Sequence, residues 1–133
     1  MIPSDVTLAR DTIHNPDEPR HFMTVTPVKG RVRIRLGDLL VAESDEALRL
    51  KEVGHRMYDP TLYLPRRAIA VPLMRAERES HCPLKGDCTW YSLQVPAEEE
   101  IAWSYRKPFR FAKVIASYVS FNPERVTIEE FPA

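Results

Sequence analysis

The chain has 133 residues and a mass of 15.4 kDa, with 44% hydrophobic and 29% charged residues, which suits one globular domain and excludes a disordered chain or a coiled coil. Lysine plus arginine and aspartate plus glutamate balance at 19 each, so no net field directs the protein to nucleic acid. No apolar run exceeds Leu39–Ala42 or Ala68–Val71, far short of a bilayer span, and the start lacks a basic and apolar leader; a cytoplasmic protein with no membrane partner is expected.

Twelve prolines against four glycines point to short strands joined by rigid corners rather than to long helices. Residues 1–30 read as an N-terminal arm, with turn chemistry at Asn15-Pro16-Asp17-Glu18-Pro19 and with His14 and His21 exposed on it. Residues 31–131 read as a single β domain. Arg31-Val32-Arg33-Ile34-Arg35-Leu36 alternates strictly, the signature of a half-buried strand, and Gly37-Asp38 turns it into Leu39–Ala42. Residues 47–52 alternate again, with Leu48 and Leu50 inward and Arg49 and Lys51 outward. Thr61–Leu64 is a brief strand stopped by Pro65, and Ile69–Val71 reads as an edge strand. Glu77–Asp87 reads as a polar loop. Thr89–Val95 and Glu99–Tyr105 form a hairpin, with Ile101, Trp103 and Tyr105 on one face of its second arm. Phe111, Val114, Ile115 and Tyr118 fall at helical spacing and predict one short helix from Pro108 onward. Val119–Phe121, a turn at Asn122–Arg125 and a last strand at Val126–Glu129 complete the chain, which places it in the mainly β class.

The densest group of reactive side chains is His81, Cys82 and Lys85, followed by Gly86. A thiol beside an imidazole and a lysine suits nucleophilic or redox chemistry, and a glycine lets backbone N–H groups approach an anion with Lys85 as counter-charge. The competing reading is a turn stiffened by Pro83. Cys82 and Cys88 alone make no disulfide framework, and His81, Cys82 and Cys88 fall short of a four-ligand zinc set, so no metal and no cofactor are expected. Arg49, Lys51, Arg66 and Arg67 suit an anion pocket if they converge with Lys85, and otherwise make surface ion pairs. Arg31, Arg33 and Arg35 lack interleaved aromatics and can be matched across a sheet by Thr127 and Glu129, which argues against a nucleic-acid partner. Tyr63, Trp90, Trp103 and Tyr105 have apolar bodies and polar tips, the types that line small-molecule sites and also sheet cores.

His81-Cys82-Pro83-Leu84-Lys85-Gly86, Trp90-Tyr91-Ser92, Ala102-Trp103-Ser104-Tyr105 with Pro108, and Ile115–Phe121, with Tyr63-Leu64-Pro65-Arg66 upstream, together resemble a bacterial family known as domain of unknown function 427. The resemblance spans about Arg31 to Ile128. It departs at Leu84, where the family has an aromatic residue, at Arg106-Lys107-Pro108, where a proline directly follows the tyrosine, and at Cys88, where a small residue is common. The resemblance implies a β-tent-like fold, two antiparallel sheets packed with a cleft between them. Other β-tent proteins hold zinc through cysteines or bind a ligand in an aromatic cleft. The zinc cysteines are absent here, so only the cleft carries over. The family also bears a nucleotidyltransferase label, which the chain does not support because no Asp-x-Asp pair follows a Gly-Ser turn.

The resulting expectation is a cleft formed by Tyr63, Arg66, His81, Cys82, Lys85, Trp103 and Tyr105 that takes a small anionic or nucleotide-like ligand, with catalysis left open. The alternatives are a non-catalytic interaction or homodimerisation module using a sheet edge or Trp90, and a thiol-based redox role through Cys82.

Overall fold

The computed structural model describes residues 11–133. These fold into eleven strands: β1 (Ile13–Asn15), β2 (Glu18–Pro27), β3 (Gly30–Leu36), β4 (Leu39–Ser44), β5 (Leu48–Val53), β6 (Thr61–Tyr63), β7 (Met74–Cys82), β8 (Gly86–Leu93), β9 (Glu98–Ser104), β10 (Val119–Phe121) and β11 (Thr127–Pro132). Two 3-10 turns, Arg66–Ala68 and Arg110–Ile115, interrupt them. The strands pair antiparallel in three sheets, ordered β1-β2-β5-β6, β10-β9-β8-β7 and β11-β3-β4.

The expected pair of sheets is therefore three, but the two four-stranded sheets are joined. Next to β6, the Leu64 N–H donates to the Val119 carbonyl at 2.9 Å and the Val119 N–H returns the bond at 2.7 Å. Ser120 Oγ adds a bond to the Leu62 carbonyl at 2.8 Å. The β6 edge of one sheet and the β10 edge of the other thus meet along a seam, which satisfies backbone groups that would otherwise be orphaned.

Two hydrophobic clusters flank this arrangement. The first gathers Val32, Ile34, Val41, Ala42, Leu62, Leu64, Tyr91, Leu93, Ile101, Ala102, Val119 and Phe121 with Ala47. The strict alternation of β3 produces its share: Val32 and Ile34 are fully buried while the arginines that alternate with them, Arg31, Arg33 and Arg35, face out. Arg35 pairs across to Thr127 and Arg33 to Glu129, and the guanidiniums of Arg33 and Arg35 meet Glu43 and Glu129 at 3.0 and 2.9 Å. The second cluster gathers Met23, Leu50, Tyr63, Leu84, Cys88, Tyr105, Ala112 and Ile115.

Five expectations are corrected. The arm proposed for residues 1–30 contains β1 and β2, and β2 pairs with β5 from Phe22↔Val53 to Pro27↔Leu48. In β2 only Pro19 and Met23 are buried, so its apolar alternation is too sparse to read from sequence; residues 1–10 lie outside the described residues. The polar segment 77–87 is largely strand: β7 runs to Cys82 and, among the described residues, pairs only with β8, leaving an edge where charged residues deter foreign pairing. Ile69 makes only an isolated bridge to Ala42. The helix after Pro108 is a 3-10 turn that buries Ala112 and Ile115, three residues apart, and leaves Val114 exposed. Ile101 also separates from Trp103 and Tyr105, joining the first cluster while they join the second.

Candidate functional site

The site begins at the turn between β7 and β8. Leu84 is fully buried in the second cluster, which folds the turn inward and carries Lys85 to 8% exposure. Gly86 has φ +111, and a Cβ there would come within 3.3 Å of the Phe109 nitrogen and 3.4 Å of Pro108 Cα. The Phe109 N–H donates to the Lys85 carbonyl at 3.0 Å. Glycine is required because backbone approaches backbone on the side a Cβ would occupy.

From that turn Lys85 Nζ donates to Glu52 Oε1 on β5. Its ammonium also lies 5.3 Å from the centre of the Tyr105 ring. The other oxygen of Glu52 meets His21 Nε2 on β2 at 2.7 Å. Both charged side chains are close to nine-tenths buried. Burial disfavours the Glu52 carboxylate, yet the Lys85 charge and the bonds from His21 and Lys85 outweigh it and hold the carboxyl below its usual range. Burial likewise opposes the Lys85 ammonium, and the surrounding oxygens of Tyr63 and Glu52 overcome it, so its pKa is raised. The pair is charged on both sides and nearly dry.

Above it stands an aromatic wall. Trp103 Nε1 donates to Tyr63 Oη at 3.1 Å, a bond from β9 in one sheet to β6 in the other. Trp90 and Trp103, paired across β8 and β9, have ring centres 5.3 Å apart at 44°. Trp90 Nε1 donates to Ser80 Oγ at 2.9 Å, and the Arg78 guanidinium lies 3.9 Å from the Trp90 ring centre. Burial pushes the phenol of Tyr63 up, and that of Tyr105 likewise. Tyr63, Lys85, Trp90, Trp103, Tyr105 and Glu52 line one cavity of 280 Å³ that also reaches Tyr58 and Asp59. Its walls come from both four-stranded sheets, so it straddles the seam.

The remaining expected residues go elsewhere. Cys82 and His81 line an adjoining cavity of 590 Å³, which shares Glu52 and Tyr58 with the first and includes Arg20, His21 and His55. His81 is mostly exposed, with Nδ1 2.8 Å from Asp87 Oδ1 and its ring edge-on to Phe109. Arg66 does not converge with the others. It lies over the Tyr91 ring at 5.0 Å and lines a separate cavity with Arg75 and Arg106. The cause is the pleat: Tyr91 follows Trp90 on β8 and so faces the other side of the sheet. Arg49 and Arg67 are matched by Glu130 and Glu46. Both cysteines are free thiols, and burial raises the pKa of Cys88.

Glu52 and His21 were not singled out by sequence. The signal for Glu52 was present: it shares the parity of Leu48 and Leu50, so the inward face of an apolar strand carries a carboxylate. Such a group needs a cation, and Lys85 is that cation. His21 offered no signal, because β2 itself was not legible. Among the described residues, His21, Glu52 and Cys82 each place one ligand-capable atom within 4.8 Å of the others, a different trio from the one considered on sequence spacing.

Comparison with curated proteins yields no match. A family model described as Domain of unknown function (DUF427) matches residues 24–131, which takes in β3 through β10 and every wall of the aromatic cavity. A match over most of its length makes this chain a member of that family.

Proposed function

We propose that the cleft across the seam binds a small planar ligand of nucleotide-like chemistry, its ring system held against Trp90 and Trp103. The observation that supports this reading is the gathering of Tyr63, Trp90, Trp103, Tyr105 and the Glu52–Lys85 pair around one cavity. Aromatic faces reward planar groups, while Tyr and Glu oxygens and the Lys85 ammonium offer acceptors and a donor at fixed positions. A volume of 280 Å³ lies just below the range of about 300–1,000 Å³ for ligand pockets, which favours a base or nucleoside over anything larger. Lys85 is already matched by Glu52, so the anionic end of such a ligand is assigned to the adjoining cavity, where Arg20, His55 and His81 stand.

The test is a thermal-shift and tryptophan-fluorescence screen of nucleosides, nucleotides and small planar carboxylates. Binding to the folded state stabilises it by mass action, about 2.7 kcal/mol at a hundred times Kd. A rise in Tm with quenching of the cleft tryptophans, lost in Trp103→Ala, is the expected result. No response to any of these compounds, or a response that Trp103→Ala leaves intact, overturns the reading.

A further inference from the structure

We propose that His21, Glu52 and Cys82 form a binding site for a zinc-type divalent transition ion, opening onto the larger cavity beside the aromatic cleft. The three residues come from β2, β5 and the end of β7, so three separate strands bring an imidazole, a carboxylate and a thiol to one point. That donor mixture suits zinc and its borderline-soft relatives and is poorly suited to calcium or magnesium, which take oxygen ligands.

The present contacts are close to those of a ligated state. His21 Nε2 and Glu52 Oε2 stand 2.7 Å apart, and Cys82 Sγ is the third ligand atom of a set spanning at most 4.8 Å. Ligand bonds of about 2.0–2.3 Å would set these atoms roughly 3.3–3.5 Å from one another, so an ion enters by slight opening of the His21–Glu52 contact and closing of the thiol. Lys85 does not block this, because its ammonium holds the opposite carboxylate oxygen, Oε1. It then serves as the outer partner that fixes the carboxylate's orientation. His21 shifts its proton to Nδ1, and the Cys82 thiol gives up its proton to solvent as the sulfur–metal bond forms, so one proton leaves per ion bound. Three protein ligands leave a fourth position facing the cavity, where Arg20 and His55 also stand.

The full chain, freed of metal by chelator and exchanged into inert buffer, is titrated with Zn²⁺ and separately with Co²⁺. One ion per chain, release of one proton and a sulfur-to-cobalt charge-transfer absorption are expected. Cys82→Ser and His21→Ala, checked for fold by near-ultraviolet circular dichroism, each lower affinity by more than about 100-fold, beyond what loss of an outer partner costs. Should either variant fail to fold, the wild type decides: bound Zn²⁺ must slow alkylation of Cys82. Absence of saturable one-to-one binding, absence of the charge-transfer band in the folded wild type, or unimpaired binding by both folded variants overturns the proposal. No organic ligand is present in these titrations, so their outcome is separate from that of the nucleotide screen.

Discussion

The two hydrophobic clusters are made from the same kind of short antiparallel strand, yet they enclose different chemistry. The first is almost wholly aliphatic, and its only polar tip is the phenol of Tyr91. The second holds Tyr63, Tyr105 and Cys88 among its buried members and borders the Glu52–Lys85 pair and both tryptophans. Polar groups carried into an apolar interior must find partners there, as Tyr63 does in Trp103, Trp90 in Ser80 and Lys85 in Glu52. The first cluster therefore serves stability, and the second joins stability to a chemically equipped surface.

Substitutions separate the two. The largest expected loss is from Phe121→Ala in the first cluster, where a 2% exposed ring is removed and a cavity is left, at about 3–5 kcal/mol. The urea midpoint should fall with little change in slope, provided unfolding is two-state. In the second region Glu52→Gln leaves the Lys85 charge buried without its partner, which should cost about 3 kcal/mol. The double variant Glu52→Leu with Lys85→Met should recover much of that loss, and a double-mutant cycle measures the coupling directly.

The same pair sets a pH dependence that the first cluster lacks. The Glu52 carboxyl is lowered on folding, so its contribution is present above the unfolded pKa of about 4.3 and is lost as pH falls through the lower folded value. The Lys85 ammonium is raised, so its contribution is complete below about 10.4 and is lost as pH climbs through the higher folded value. Urea titrations between acid and alkaline pH should show both limbs flattened in the double variant, whereas Phe121→Ala should shift the whole profile without altering its shape. A smaller effect is expected from Gly86→Ala, about 1–3 kcal/mol, because φ +111 and the contact with Phe109 strain any side chain there. The smallest is Arg35→Ala. Its ion pair with Glu129 is partly solvated, and the change in Tm should correspond to less than about 1 kcal/mol.

Legibility in the sequence followed the same division. Strand β3, which packs one face on the first cluster, alternates cleanly and is readable residue by residue, down to Arg35 opposite Thr127 and Arg33 opposite Glu129. Strands β2 and β7 are not, since one buries few residues and the other is a wet edge; their pairing is set by neighbours far along the chain. Within the candidate site, the positions of Tyr63, Lys85, Trp103 and Tyr105 on one cavity agree with the grouping suggested by their motifs. Arg66 was misplaced because a 3-10 turn and the pleat of β8 send it to the opposite face. His21 and Glu52 depended on the unreadable pairing of β2 with β5, in which Met23 stands opposite Glu52.

The Leu64–Val119 seam has a mechanical corollary. It is short, two reciprocal main-chain bonds and one from a serine hydroxyl, and it joins strands that each hold their own sheet through three residue pairs, β6 to β5 and β10 to β9. Rotation about that line changes the gap between Tyr63 on one flank and Trp103 on the other, and the Trp103–Tyr63 bond and the Lys85–Glu52 pair both span the gap as stays. An occupant wedged between the flanks therefore exerts torque on both sheets at once. Slowed amide exchange on saturation should spread outward from Leu64 and Val119 along β6 and β10, rather than stay confined to the residues it touches.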